Sequence, residues 1–209
     1  DSGKLVMKWR GKAIVDLSRK FLDTNGVTAV ARAEIVSPSE NSPLNAPSGL
    51  SAADESAWTK TLSKLNCCSQ RGLVERFDSS IGASAVLHPY GGKNLATSPD
   101  AMCSKIPLLK GSTNTGTLFS FGFNPDISIW SPYHGAMYAV LESFAKIAAS
   151  GGDVSKIRLT FQEYFEKLRT DPKRWGKPLA ALLGAYEAQM NLGAAAIGGK
   201  DSMSGSFNH

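Results

Sequence analysis

Ile157-Arg158-Leu159-Thr160-Phe161, followed by Lys177 to Leu192 and then by Ala194-Ala195-Ala196-Ile197-Gly198-Gly199-Lys200-Asp201-Ser202-Met203-Ser204-Gly205, is the stretch that decides the fold. The first piece is short and apolar at alternate positions, which predicts a strand. The second carries Leu179, Leu182, Leu183, Tyr186 and Met190 at helical spacing. Those five are expected on the buried face, with Pro178 near the first turn and Gly193 as the stop. The third piece opens as a short apolar run and passes into a glycine-rich loop. Toward the N-terminus, His134 to Ser150 predicts another helix with Val140, Leu141, Phe144, Ile147 and Ala148 inward, ended by Gly151-Gly152, and Leu118-Phe119-Ser120-Phe121 predicts another strand. Strand, helix, strand, helix, strand is the order of an α/β or α+β layer with the helices on one face of a sheet.

The N-terminal part reads differently. Leu5-Val6-Met7 and Ala13-Ile14-Val15 flank the turn-forming Gly11, and Val27 to Val36 alternates apolar with polar, so these residues predict a sheet fragment. From Ser37 to Gly49 the composition shifts to Pro, Ser and Asn, with Pro38, Pro43 and Pro47 denying both helix and ladder, which predicts a linker. Ser51, Asp54 and Glu55 resemble a helix start, and Trp58, Leu62 and Leu65 follow on one face.

Composition excludes several classes. With 209 residues, 42% hydrophobic and 20% charged, the chain has the make-up of a globular protein, and no stretch approaches the roughly 18 uninterrupted apolar residues of a membrane span. Asp1-Ser2-Gly3-Lys4 puts no apolar block behind a basic start, so either export is absent or the true N-terminus has been cut away. The net charge of +5 comes from basic residues interspersed with acidic ones, not from a basic stripe, which argues against a nucleic-acid surface. Cys67, Cys68 and Cys103 are an odd number without a C-x-x-C spacing, and His88, His134 and His209 form no ligand cluster with them. A disulfide framework and a structural zinc site are both disfavoured, and reduced thiols serving as small buried hydrophobes in a cytoplasmic protein are expected.

The terminal loop is the strongest chemical signal. Its glycines let backbone N–H groups approach a phosphate, Lys200 adds a point charge, and Ser202 and Ser204 add hydroxyl donors. It is not a Walker loop, and a plain glycine turn is the competing reading. Asp78, in Arg76-Phe77-Asp78-Ser79-Ser80-Ile81-Gly82, has the chemistry of a Mg²⁺ ligand and equally that of a turn or cap. Glu142 precedes Lys146 by four residues, the order of a surface ion pair, yet it flanks the apolar face and can point into a cleft. His134, after Ser131-Pro132-Tyr133, sits where a helix starts, either facing an anion or making a structural hydrogen bond. Phe161, Tyr164 and Phe165 alternate with Gln162, Glu163 and Glu166 and read as an amphipathic turn, not a base-stacking platform.

Seven segments together resemble one family: Arg71-Gly72-Leu73 through Gly82, Tyr90-Gly91-Gly92-Lys93, Gly122-Phe123-Asn124-Pro125, Ser131-Pro132-Tyr133-His134-Gly135, Leu159 through Phe165, Asp171-Pro172-Lys173-Arg174-Trp175-Gly176-Lys177-Pro178 and Ile197 through Gly205. They are similar, in order, to phosphoribosylformylglycinamidine synthase of the large single-chain type. The resemblance implies a piece of a longer ATP-dependent ligase of de novo purine biosynthesis. That ligase uses ATP, Mg²⁺ and ammonia from a glutaminase domain (a glutamine amidotransferase) to turn formylglycinamide ribonucleotide into its amidine.

It also implies an aminoimidazole-ribonucleotide-synthetase-like fold, with residues 1–37 ending one α+β domain, 38–65 forming a linker and helix, and 66–209 a second, truncated α/β domain. By resemblance, Phe77 lies beside a nucleotide and Asp78 and Glu142 bind magnesium at an auxiliary nucleotide site. Gly199, Lys200 and Ser202 contact ATP and substrate in a mobile terminal loop. Lys146 stands where the better-known branch has an asparagine ligand. Asp78 and Glu142 are expected close together, with Lys146 able to neutralise the pocket. A non-catalytic half carrying only the auxiliary site, or another enzyme of the same superfamily, is the competing implication. Neither nucleic acid nor membrane is an expected partner.

Overall fold

A computed structural model describes residues 2–24, 29–45, 55–76 and 84–205. Strands β1 (Lys4–Trp9) and β2 (Lys12–Ser18) form an antiparallel hairpin. Its two-residue turn, Arg10-Gly11, has positive φ at both positions, the backbone that matches the right-handed twist of the strands. Helix α1 (Arg19–Thr24) follows at once, with the Ser18 hydroxyl accepting from the Phe21 N–H at 3.1 Å. The strand expected over Val27 to Val36 is not found in its described part: residues 29–36 join no ladder. They instead run as a strap over the C-terminal helix, where the Glu34 N–H donates to the Pro172 carbonyl at 2.8 Å. The next tie, from the Trp130 indole N–H to the Ser39 carbonyl, is 2.7 Å. The helix start expected at Ser51 and Asp54 lies outside the described residues, and α2 runs over Glu55–Leu62 with Trp58, Leu62 and the following Leu65 all exposed.

After the short helix α3 (Arg71–Val74), strands β3 (Ala85–Leu87), β4 (Met102–Lys105) and β5 (Gly116–Phe119) form an antiparallel meander. Two proline-led helices follow, α4 (Pro125–Trp130) and α5 (Pro132–Ala149). Each starts the same way. The Asn124 carboxamide oxygen accepts from the N–H groups of Asp126 and Ile127, the Ser131 hydroxyl accepts from that of His134, and proline occupies the first helical position, where its missing N–H costs nothing. A 3₁₀ turn (Val154–Lys156) leads to strand β6 (Leu159–Tyr164), helix α6 (Pro172–Leu192) and strand β7 (Ala196–Ser202), a β-α-β unit with β6 and β7 parallel. Leu159 and Phe161, two apart on β6 and so on one face, pack with Val140 and Phe144 of α5 and Ala188 of α6, which puts both helices on the same side of this sheet.

Helix α6 differs from expectation in two ways. It begins at Pro172, because Asp171 caps it through the Lys173 N–H at 2.9 Å, and Pro178 lies inside it. Its buried face is also the other one. Gly176, Ala180, Ala181, Gly184, Ala185 and Ala188 are buried, whereas Leu182, Tyr186 and Met190 are 60%, 59% and 65% exposed. Small residues win that face because α5 approaches too closely for anything larger: a methyl group at Gly184 would overlap the Tyr133 carbonyl. On α5, Val140, Phe144 and Ile147 are buried as expected, but Leu141 and Ala148 face outward. The cysteines also depart from expectation. Cys67 is exposed, and Cys68 and Cys103 are half-buried, since neither the turn after α2 nor β4 lies in the packed core.

Candidate functional site on the outer face of the parallel strands

Gly198, Gly199, Lys200 and Ser202 belong to strand β7, not to a loop. The ladder pairs Thr160 with Gly198, Phe161 with Gly199, Gln162 with Lys200, Glu163 with Asp201 and Tyr164 with Ser202. Glycine is needed at 199, because a Cβ there would come to 2.7 Å from the Phe161 carbonyl oxygen. Side chains alternate across a strand, so Gln162, Tyr164, Lys200 and Ser202 share the face turned away from α5 and α6. On that face the Lys200 ammonium donates to the Ser202 hydroxyl at 2.8 Å and to the Asp201 carbonyl at 3.3 Å. Both partners are neutral, so the positive charge is held in place without being cancelled. Such a cation beside a hydroxyl suits a phosphate or another oxyanion.

Past β7 the chain stays tied. The Phe165 N–H donates to the Ser202 carbonyl at 2.8 Å and the Gly205 N–H to the Phe165 carbonyl at 2.9 Å, so residues 203–205 close over the end of β6. The inner face at this end carries Glu163 opposite Asp201. Burial, then repulsion from Asp201, raises the Glu163 carboxyl above its ordinary range.

Glu142 and Lys146 of α5 form a second polar cluster. The Glu142 carboxylate pairs with the Lys146 ammonium at 2.7 Å through Oε1 and accepts the Phe123 N–H at 3.0 Å through Oε2. Lys146 also donates to the Phe121 carbonyl at 3.0 Å and lies over the Phe121 ring, 4.5 Å from its centre. Gly122 between them leaves no room for a Cβ against the Ala139 carbonyl. Both ends of the carboxylate are therefore engaged in fastening the 121–123 segment to α5. That donor set does not fit a divalent cation, and among the described residues no three His, Cys, Asp or Glu side chains come together as metal ligands. The proposed companions Phe77 and Asp78 lie outside the described residues.

His134 takes the structural role. Its Nδ1 lies 2.7 Å from the Ser131 hydroxyl, and its ring sits between Trp130 and Tyr133 with centroid separations of 4.9 and 5.2 Å. A cleft of about 450 Å³ against the meander, lined by Leu87, Cys103, Lys105, Leu118 and Ser150 among others, brings no carboxylate or histidine to its lysine.

Sequence reading missed two features: the rung position of Tyr164 and the facing carboxylates of Glu163 and Asp201. Period-two alternation of Thr160, Gln162 and Tyr164 was the available signal, masked by the glycines of β7, which read as a loop.

No model of a protein family matches the chain. Among curated proteins it is similar to the phosphoribosylformylglycinamidine synthase subunit PurL of Pyrobaculum aerophilum, 28% identical over 207 residues, which is 96% of this chain and 26% of that protein. It is likewise similar to the subunit PurL of Rhodospirillum rubrum, 25% identical over 97% of this chain and 25% of that protein. Two solved Thermotoga maritima structures share its fold over the whole chain and 29% of their own: PurLQS, with a TM-score of 0.59 at 17% identity, and PurL complexed with ATP, with 0.54 at 16%. The chain thus spans about a quarter of the length of the curated relatives it matches.

Proposed function

Starting from a chain related to phosphoribosylformylglycinamidine synthase subunit PurL over nearly its whole length, we propose that it is part of an ATP-dependent ligase of purine biosynthesis. The reaction converts formylglycinamide ribonucleotide, with ATP and ammonia from glutamine, to formylglycinamidine ribonucleotide, ADP and phosphate. The γ-phosphoryl group is transferred to the amide oxygen, ammonia adds to the activated carbon, and phosphate leaves with that oxygen. Each step places negative charge on phosphoryl oxygens, so a fixed cation and hydroxyl donors lower the barrier.

The observation that carries this reading is the Lys200–Ser202 contact on the outer face of β7, in a segment that also resembles the family's ATP- and substrate-binding stretch. Lys200 neutralises phosphoryl charge, Ser202 donates its hydroxyl, and Gly199 lets the strands approach. On the resemblance alone, Phe77 and Asp78 belong to a separate, auxiliary nucleotide site, Phe77 beside the nucleotide and Asp78 as a magnesium ligand. Magnesium accompanies the nucleotide as counter-ion of its phosphates, and Glu142 is engaged by Lys146 and the Phe123 N–H. The remaining synthetase domains and a glutaminase complete the machinery, in the cytoplasm. Among the described residues no helix is long and apolar enough to cross a membrane.

Calorimetry with Mg-ATP tests the reading. The 209-residue chain should bind, Lys200→Ala should weaken binding about tenfold or more through loss of a charge-assisted contact, and neither protein should form product from ATP, ammonia and substrate. Binding unaffected by Lys200→Ala, or turnover by the isolated chain, would count against it.

A further inference from the structure

We propose that Tyr164 is a further ligand-binding residue of the outer face, its ring forming the platform for the nucleoside part of a nucleoside phosphate whose phosphate is taken by Lys200 and Ser202. The proposal rests on the nucleotide reading above and deepens it.

The ladder puts Tyr164 directly across from Ser202, two rungs beyond the pair Gln162 and Lys200 and so on the same face. Because the Lys200 ammonium reaches along the strand to the Ser202 hydroxyl at 2.8 Å, the fixed charge ends on the rung that carries the tyrosine. Ring and cation are thus neighbours on one surface. Neighbouring strands lie about 4.8 Å apart, the order of the distance between a nucleotide's 5′-phosphate and its sugar and base.

The ring is exposed and yet held. Tyr164 is 67% accessible on the face that α5 and α6 leave uncovered. Underneath, the returning chain places Gly205 so close that a Cβ would fall 2.6 Å from the ring's Cε1 and 3.2 Å from its Cδ1. The backbone bonds from Phe165 to Ser202 and from Gly205 to Phe165, 2.8 and 2.9 Å, fix that return. Gly205 therefore provides a support against the Cδ1–Cε1 edge that any larger residue would push into the ring, while most of the ring stays accessible. A large aromatic kept out of the core and propped at one edge has apolar surface to offer a ligand. A π-face accepts a base or the apolar side of a sugar without requiring a particular base. Gln162, whose amide is tethered to the Glu163 carbonyl at 3.2 Å, leaves its acceptor oxygen on the same surface.

Two probes separate the two halves of the surface: adenosine 5′-monophosphate, which has phosphate and nucleoside, and inorganic phosphate, which has only the first. By calorimetry on the 209-residue chain, Tyr164→Ala should weaken the nucleotide about tenfold and leave phosphate unchanged. Tyr164→Phe, which keeps the ring and guards against loss of folding, should stay within about twofold of the wild type. Lys200→Ala should weaken both probes. If Lys200→Ala weakens both but Tyr164→Ala changes neither, the platform is wrong and the nucleotide reading survives. If Lys200→Ala also changes neither, or the wild type binds neither, both fall.

Discussion

Gly184 of α6 faces the main-chain carbonyl of Tyr133 with no space for a Cβ between them. The first turn of α5 thus meets the middle of α6 backbone to backbone. In a helix interior alanine is favoured over glycine by about 1 kcal/mol, so Gly184→Ala would stabilise an isolated helix. Here the methyl group must displace α5, and overpacking of this kind costs typically 1–3 kcal/mol or more. We predict a net loss of about 1–2 kcal/mol in urea unfolding followed by circular dichroism. Gly72→Ala in α3, where nothing lies within 4 Å of the added Cβ, is the control and should be neutral or slightly stabilising.

Gly176 makes the equivalent contact with the strap, its face pressed against the Glu34 carbonyl. Gly176→Ala should lift residues 29–45 from α6 and loosen the bond from the Trp130 indole to Ser39. Faster proteolytic cleavage within Ser37 to Asn45, with a red-shifted tryptophan emission, is the expected result. Unchanged cleavage would mean that the strap is held elsewhere.

These two glycines show what the sequence could and could not disclose. The existence of α5, α6 and the strand preceding α6 was legible because apolar spacing and Gly193 mark them plainly, whereas the start of α6 at Asp171-Pro172 was not. Which face of α6 is buried was not read correctly, because large residues normally mark the core, and Leu179, Leu182, Leu183, Tyr186 and Met190 outweigh a stripe of Gly176, Ala180, Gly184 and Ala188. That small stripe recurs every four residues and was the available clue to a close helix pair. The strand β7 was hidden by its glycines, which carry no strand preference yet are required where β7 crowds the Phe161 carbonyl. For Glu142, the spacing to Lys146 disclosed the ion pair, while its second bond, to the Phe123 N–H, depends on a loop whose path no local pattern specifies.

The Glu142–Lys146 pair gives a prediction of its own. Lys146→Met removes the cation from a carboxylate that still accepts the Phe123 N–H, and should cost about 1 kcal/mol, since the pair is partly open to solvent. Because the ammonium already balances the charge, adding a chelator to the wild-type chain should leave its thermal midpoint unchanged, and millimolar Mg²⁺ should not raise it. A midpoint that falls on chelation would show that a metal, not Lys146, holds the 121–123 segment.

Glu163 and Asp201 carry the pH dependence. Burial, then the facing Asp201 carboxylate, raises the Glu163 pKa above the ordinary glutamate range. The folded chain therefore holds this proton more tightly than the unfolded chain. Its stabilising contribution is fully present below the unfolded pKa and is lost as pH rises through the raised folded value. Toward neutral pH that contribution is gone, and the half-buried Glu163 carboxyl facing Asp201 weakens this end of β6. Glu166 moves oppositely: the Lys177 ammonium, 2.6 Å from its Oε1, lowers its pKa, so its contribution is present above the unfolded value and lost in acid. Urea midpoints measured from pH 4 to 7 should then separate the two residues. Glu163→Gln should stabilise the chain at pH 7 and lose that advantage toward pH 4. Glu166→Gln should destabilise at pH 7, with the deficit shrinking as the pH falls. An advantage for Glu163→Gln that persists unchanged in acid would mean that packing, and not the burial of a charged carboxylate beside Asp201, sets the stability of this end of β6.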